Sequence, residues 1–285
     1  MKQVTVLSGK GGTGKTSVVG GLASLAENKV LADCDVDAPD LHLILKPEIR
    51  EVMDFKALKT ARIDESRCTR CGKCMQYCSF DAIEDYVVNP LACEGCTVCE
   101  LVCPVNAISM KEKIAGKVFI SETRAGPLCH ARLYAGEEAS GKLITLVREK
   151  AREMAVERGL DLVLIDGSPG IGCPVIASIG GADIALVVTE PTISGIHDLE
   201  RILQVAEHFK IKSMVCINKC DINWEKTNEI IDYCRRNNIL IAGKIPYSKE
   251  FTKAMVEEKT IIEYGSDVSK AIKEVWDEVN NSLRQ

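Results

Sequence analysis

A chain of 285 residues, 46% of them apolar, can bury the core of one large domain or of a domain carrying an insertion. Its 41 acidic against 36 basic side chains, a formal charge of −5, speak against a surface built to hold nucleic acid or anionic lipid. No run approaches the ~18 apolar residues of a membrane span, and Met1 to Leu7 leads into a glycine-rich loop with no room for a signal peptide, so a cytoplasmic, reduced setting is expected.

Gln3 to Leu7 alternates and is β-branched, which predicts a strand. The loop Gly9-Lys-Gly-Gly-Thr-Gly-Lys-Thr16 follows, and Ser17 to Glu27 reads as a helix with small and apolar residues on one face. Strand, GxxxxGK[ST] loop and helix in that order make a phosphate-binding loop. Gly11, Gly12, Thr13 and Gly14 let backbone N–H groups turn onto phosphate oxygens at the helix N-terminus, where Ser17 begins the helix. Lys15 is assigned to the β- and γ-phosphates and the Thr16 hydroxyl to Mg²⁺. The next strand, Lys29 to Ala32, ends in Asp33-Cys-Asp35-Val-Asp37-Ala-Pro-Asp40. Four carboxylates so close together repel one another in a plain turn but are useful beside a phosphate-bound Mg²⁺.

Eight of the fourteen cysteines form two runs, Cys68-x2-Cys71-x2-Cys74-x3-Cys78 and Cys93-x2-Cys96-x2-Cys99-x3-Cys103-Pro104. The runs are an internal repeat at an offset of 25 residues, each closing on Ala-Ile (Ala82-Ile83 and Ala107-Ile108). This is the ligand spacing of a bacterial ferredoxin with two [4Fe–4S] clusters, in which the fourth cysteine of each run crosses to the other cluster. One cluster is then assigned to Cys68, Cys71, Cys74 and Cys103, the other to Cys93, Cys96, Cys99 and Cys78. Ser79 stands where the motif usually has proline, a departure that removes no ligand. Structural zinc sites take two ligand pairs separated by a longer loop, and disulfides do not suit a reduced compartment. The insert is expected over residues 59–121, between flanking parts of a nucleotide domain at 1–58 and 122–285.

Leu160 to Ile165 reads as a buried strand, and Asp166 at its end suits a Walker B carboxylate acting through Mg²⁺ waters. Gly167-Ser-Pro-Gly170 is the expected switch II. Strands at Ile184 to Thr189, Ser213 to Asn218 and Leu240 to Ile245 alternate with helical patterns. The expected fold class is α/β, a doubly wound and mainly parallel sheet with an inserted small α+β ferredoxin-like domain. Asn218-Lys-Cys-Asp221 matches the NKxD element that reads guanine in many GTPases, and Pro246 is placed to pack on a base. Cys34, Cys216, Cys220 and Cys234 read as small core or surface residues. The final helix, Ser266 to Leu283, has an apolar stripe but a mixed-charge opposite face, so it reads as packed rather than lipid-bound.

Lys10 lies five residues ahead of Lys15, and Lys10-Gly-Gly-Thr-Gly-Lys-Thr resembles the deviant Walker A loop of the MinD/ParA/Mrp and nitrogenase-iron-protein class of ATPases. That resemblance implies that Lys10 reaches across a dimer interface to the partner's nucleotide, and that Asp35 orients or deprotonates the attacking water. It implies ATP rather than GTP, with Asn218, Asp221 and Pro246 around adenine. It places Cys173 where a subunit-bridging cluster is ligated, with Cys129 as its mate. With the insert, nearly the whole chain is similar to MinD-superfamily P-loop ATPases carrying a ferredoxin domain, including the segments beginning Gly126-Pro-Leu-Cys and Gly136-Glu-Glu-Ala. The implied activity is a Mg²⁺-dependent ATPase, slow without a partner, working as a homodimer or as a heterodimer with a paralogous ATPase. The nucleotide-driven dimer would gate electron transfer from two clusters to a protein acceptor. A carrier or scaffold ATPase serving a metallocofactor protein, and a MinD/ParA-like positioning ATPase, are the alternatives.

Overall fold

The β-branched run at the start of the chain forms β1 (Lys2–Ser8), and Gly14 releases it into α1 (Lys15–Leu25). A computed structural model describes residues 1–135, 137 and 140–284, with the backbone alone at 57 and 58, so Gly136, Glu138 and Ala139 of the second resemblance segment lie outside it. Next come β2 (Lys29–Asp33), α2 (Leu41–Leu45), β3 (Glu48–Ile63), α3 (Lys73–Gln76), β4 (Ile83–Glu84), β5 (Val87–Val88), α4 (Val98–Leu101) and β6 (Ile108–Thr123). The chain continues through β7 (Gly126–Leu133), α5 (Ser140–Arg158), β8 (Leu162–Pro169), α6 (Cys173–Ile179), β9 (Ile184–Thr189) and α7 (Ile193–His208). It closes with β10 (Lys212–Asn218), α8 (Trp224–Arg236), β11 (Leu240–Ile245), α9 (Glu250–Val256), α10 (Ile261–Tyr264) and α11 (Ser269–Leu283).

The chain divides into two compact units, residues 1–52, 118–132 and 141–285 in one and 53–117 with 133–140 in the other. β3 and β6 are the strands by which the chain leaves the first unit and returns to it. The sheet order is β11-β10-β9-β1-β8-β2-β7-β6-β3. β1 lies parallel between β8 and β9, β10 is parallel to β9 and β11, and β2 is parallel to β8 and β7. Parallel strands need crossovers, and the helices that supply them bury both faces, which is why β8, β9 and β10 read as continuous apolar runs. One face packs Val4, Val6, Leu31 and Leu164 against Val18, Val19 and Leu22 of α1 and Ile272, Val275 and Val279 of α11. The other packs Leu7, Ala185, Val187 and Val215 against Leu199, Ile202 and Ile230 of α7 and α8.

β8 extends past the strand end that the sequence suggests, through Asp166 to Pro169. Gly167 allows this, because a Cβ there would lie 2.6 Å from Leu7 Cδ2 and 2.9 Å from Val6 O. Asp166 is thus held inside the strand, opposite Val6 on one side and Asp33 on the other.

The second unit repeats its backbone as it repeats its sequence. Arg70, Gly72 and Asp81 in the first half and Gly95, Thr97 and Asn106 in the second all take positive φ. Its core is Ala61, Cys74, Ile83, Cys99 and Ile108. Residues 133–140 also join this unit, tied by Tyr134 N to Ala115 O at 2.9 Å and by the Lys113–Glu137 ion pair at 2.5 Å. Among the described residues, no helix is long and apolar enough to cross a membrane.

Candidate functional site

Parallel strands deliver their C-terminal ends to one edge of the sheet, and in the first unit that edge gathers the charged groups. Gly14, at φ 90°, starts α1, and a Cβ there would meet Asn218 Nδ2 at 2.3 Å. The space saved lets Asn218 at the end of β10 donate to Thr13 O at 2.7 Å. Lys219 Nζ donates to Gly12 O at 3.0 Å, and the Asn218 side-chain oxygen accepts from Lys219 N at 3.0 Å. Asn218 and Lys219 therefore brace the loop from beneath. Asp221 accepts from Tyr247 N at 2.6 Å, next to Pro246.

Lys15, buried at the loop's end, donates to Asp166 Oδ1, and its Nζ lies 3.8 Å from Asp35 Oδ2. Burial opposes the lysine's charge, but Asp166 above all, with Asp35 and Asp33, holds its pKa above the ordinary value. Asp33 is fully buried at the end of β2, and its carboxylate accepts from Asp35 N at 3.1 Å and from Leu41 N at 3.3 Å. It thus anchors both ends of the acidic loop, a role the motif reading did not assign to it. Burial first, and then Asp166, push Asp33 well above the usual carboxylate range. One cation thus stands among three carboxylates. Asp166 Oδ2 and Thr13 Oγ1 are buried without hydrogen-bond partners among the described residues. An unpartnered carboxylate oxygen, an unpartnered hydroxyl and the half-buried Thr16 suit a hydrated Mg²⁺ beside phosphate.

Burial raises Asp35 to about 6, with Lys15 opposing the shift and Asp166 adding to it. A carboxyl whose folded pKa of about 6 exceeds its unfolded ~3.9 costs increasing stability as pH rises between those values. Asp35→Asn is expected to stabilise the nucleotide-free protein by about 1–2 kcal/mol near pH 7.5, allowing for solvent screening, and not at about pH 4. Calorimetry at the two pH values checks this.

Lys10 does not project freely. Its Nζ lies 2.8 Å from Glu190 Oε1 and donates to Ser194 Oγ at 3.0 Å, while Lys219 holds Glu190 Oε2 at 2.8 Å. Burial resists the charge on Glu190, but Lys10 and then Lys219 outweigh it and lower its pKa. Glu190 and Ser194 escaped the sequence reading; the signal was a carboxylate at the end of β9, on the edge the loop occupies.

Cys129 is fully buried in β7, where burial pushes its thiol up to about 12, whereas Cys173 is exposed at the start of α6. The structure therefore places the two proposed bridging cysteines differently, Cys129 inside the sheet and Cys173 at the surface.

In the second unit, Cys68, Cys71, Cys74 and Cys103 line one cavity with Ile63, Tyr86 and Ile108. Cys78, Cys93, Cys96 and Cys99 line another with Ala61, Ile83 and Met110. Each cavity thus takes three cysteines from one run and the fourth from the other. Backbone amides point at the sulfurs: Ala82 N at Cys78 Sγ (3.4 Å), Ala107 N at Cys103 Sγ (3.2 Å), Arg70 N at Cys68 Sγ (3.4 Å) and Ala61 N at Cys93 Sγ (3.5 Å). Burial raises the Cys93 thiol, but the Ala61 and Gly95 amides help bring it below the ordinary value. Among the described residues, no three His, Cys, Asp or Glu side chains are grouped around one metal ion. Four thiols around a cavity, with amides donating to sulfur, fit a polynuclear cluster.

A sequence profile of the CobQ/CobB/MinD/ParA nucleotide-binding domain matches residues 4–261. An uncharacterized protein of Methanocaldococcus jannaschii is 34% identical over 285 aligned residues, 99% of this chain and 97% of that one. The septum site-determining protein MinD complexed with Mg-ADP, from Pyrococcus horikoshii, shares the fold with a TM-score of 0.61 at 18% identity, over 99% of this chain and 97% of that chain. A ferredoxin of Alicyclobacillus acidocaldarius is 38% identical over 61 residues, 19% of this chain and 78% of that one.

Proposed function

The chain belongs to the CobQ/CobB/MinD/ParA nucleotide-binding family, and from that membership we propose that it is an ATP-hydrolysing iron–sulfur protein in which a nucleotide-driven dimer gates electron transfer to a protein acceptor. The ferredoxin-like insert, expected over residues 59–121, would correspond to the unit of 53–117 with 133–140, and the ATPase domain, expected over 1–58 with 122–285, to the unit of 1–52, 118–132 and 141–285. The observation that carries the reading is the crossed partition of eight cysteines into two cavities, on the same chain as a braced phosphate loop. The Mg-ADP bound to the similar MinD and the short likeness to a ferredoxin support the two halves separately.

Cys68, Cys71, Cys74 and Cys103 would hold one [4Fe–4S] cluster, and Cys78, Cys93, Cys96 and Cys99 the other. When bound, such clusters supply one-electron storage at potentials that amide–sulfur hydrogen bonds tune. The exposure of Cys71 and Cys96 suits electron exit at the surface. In the nucleotide site, Lys15 would exchange Asp166 for the phosphates, Thr16 and Asp166 would hold Mg²⁺, which supplies charge stabilisation for phosphoryl transfer, and Asp35 would orient or deprotonate the attacking water. Lys10 exchanges Glu190 for the partner's nucleotide, which makes the ion pair at Glu190 a brake on dimerisation.

The first test is the composition of anaerobically prepared protein: about eight iron and eight sulfide per chain, together with Mg²⁺-dependent ATP hydrolysis. Iron near one per chain, without sulfide, would sink the cluster reading. Glu190→Gln should tighten the dimer formed with a non-hydrolysable ATP analogue by about fivefold, the worth of a partly exposed ion pair. Sedimentation checks it; an unchanged dimer would remove Lys10 from the interface.

A further inference from the structure

α2 is a five-residue helix that follows the acidic loop, and its two ends are held by different parts of the first unit. At its start, Leu41 N donates to Asp33 Oδ2 at 3.3 Å, so the buried carboxylate of the nucleotide site sets the helix's first turn. At its end, Ile44 O accepts from Arg124 Nη2 at 2.7 Å, and Arg124 is itself fixed by Glu263 and by Glu258 O at 2.9 Å. Arg124 sits directly after β6. Between these ends His42 lies parallel to His130 of β7, with ring centroids 6.0 Å apart and planes 9° apart. His130 stacks in turn on Phe119 of β6 at 5.0 Å, and its Nε2 lies 3.1 Å from Ser121 Oγ on the same strand.

We propose that His42 and His130 form the contact through which the nucleotide state of the acidic loop is passed to β6, the strand that brings the chain back from the cysteine unit. The inference rests on nucleotide binding at the phosphate loop. A phosphate group competes for Lys15, the one cation among Asp33, Asp35 and Asp166. Drawing Lys15 to the phosphates, with Mg²⁺ to be held on the Asp166 side, changes which of the three carboxylates has a cation beside it, so the loop that Asp33 ties down must rearrange. Leu41 follows Asp33, while Arg124 keeps the far end of α2 in place, and a short helix so held pivots. His42 is the side chain that carries this pivot to β7 and β6. Its Nδ1 is buried without a hydrogen-bond partner among the described residues, so on that side packing alone positions the ring. Burial, with His42 and Arg132 adding to it, takes His130 down to about 4, so its ring is neutral near neutral pH. Two packed arrangements of one helix are the kind of discrete element that couples distant groups.

Hydrogen–deuterium exchange of the full, cluster-loaded chain, with and without a non-hydrolysable ATP analogue and Mg²⁺, tests this. In the wild type, amides of residues 118–123 should change exchange rate by at least about fivefold on nucleotide binding, the low end of allosteric couplings. In His42→Ala that change should fall within about twofold while nucleotide affinity stays within about threefold of wild type. His130→Phe keeps a flat ring in the stack and should retain the response; should His42→Ala not fold, His42→Leu, which fills the space without a ring, takes its place. Nucleotide that binds the wild type without altering 118–123, or a His42 variant that responds as wild type does, overturns the proposal. A response in 118–123 with unmoved cluster potentials would uphold the contact and break the gating reading, and absence of nucleotide binding would remove both.

Discussion

Lys15→Ala is expected to abolish ATP hydrolysis, by about a thousandfold or more, and to destabilise the chain in a pH-dependent way. The catalytic loss follows because the loop amides hold phosphate but carry no full charge, Lys219 is committed to Glu190, and Lys10, once it leaves Glu190, serves the partner's nucleotide rather than its own. The stability loss follows from what is left behind. Asp166 and Asp33 are fully buried, and Lys15 is the cation that neutralises them. Removing one partner of a buried ion pair costs about 3–5 kcal/mol when the remaining charge cannot escape. Here it escapes partly by protonation. Without Lys15, Asp33 and Asp35, already raised by burial, lose the cation that opposes the shift, so the folded state binds extra protons relative to the unfolded chain. The deficit therefore grows as pH rises above the unfolded carboxylate value of ~3.9 and shrinks again on acidification. Melting temperatures of wild type and variant should converge near about pH 4 and separate by roughly 5–10 °C near pH 8. A variant that hydrolyses ATP normally, or a deficit independent of pH, would contradict this account of the site.

The second large effect concerns the crossed cysteines. Cys103→Ser should cost about half the iron, roughly four of eight atoms, and so should Cys68→Ser. The double variant Cys103→Ser/Cys68→Ser should lose no more than either alone, because both residues line the same cavity. Cys103→Ser/Cys93→Ser should lose both clusters, because Cys93 lines the other cavity. Local ligation, with each run holding its own cluster, predicts the reverse pattern. Iron content and EPR spin quantitation on the four proteins decide between them.

Much of this was legible in the sequence because it rests on local spacing. The phosphate loop, the strand carrying Asp166 and the cysteine repeat each sit within 41 consecutive residues or fewer, where residue type and interval point to a chemistry. The structure extends the repeat to the backbone, since Gly72 and Gly95 take positive φ where Thr97 and Arg70 do so in the other half. What escaped depends on contacts across the whole chain. Glu190 meets Lys10 from 180 residues away, and Asn218 meets Thr13 from 205. The motif that assigns Asn218 to the base does not reveal that in the nucleotide-free chain its side-chain amide also braces the phosphate loop. Asp33 looked like one acid of four, and only its burial at the end of β2 distinguishes it from Asp37, which is exposed. The resemblance that pairs Cys129 with Cys173 carries no information on burial, and only the structure sets Cys129 inside β7 and Cys173 at an exposed helix start.

Coupling between the two halves of the molecule is the central claim, and an EPR-monitored redox titration of the anaerobic protein tests it most directly. The titration is run without nucleotide, with ADP and with a non-hydrolysable ATP analogue. Nucleotide-driven gating predicts that at least one cluster potential moves by more than about 60 mV between the ADP and ATP-analogue states, a tenfold change in the one-electron equilibrium. Potentials that coincide in all three states, in protein shown to bind the nucleotides, would contradict it.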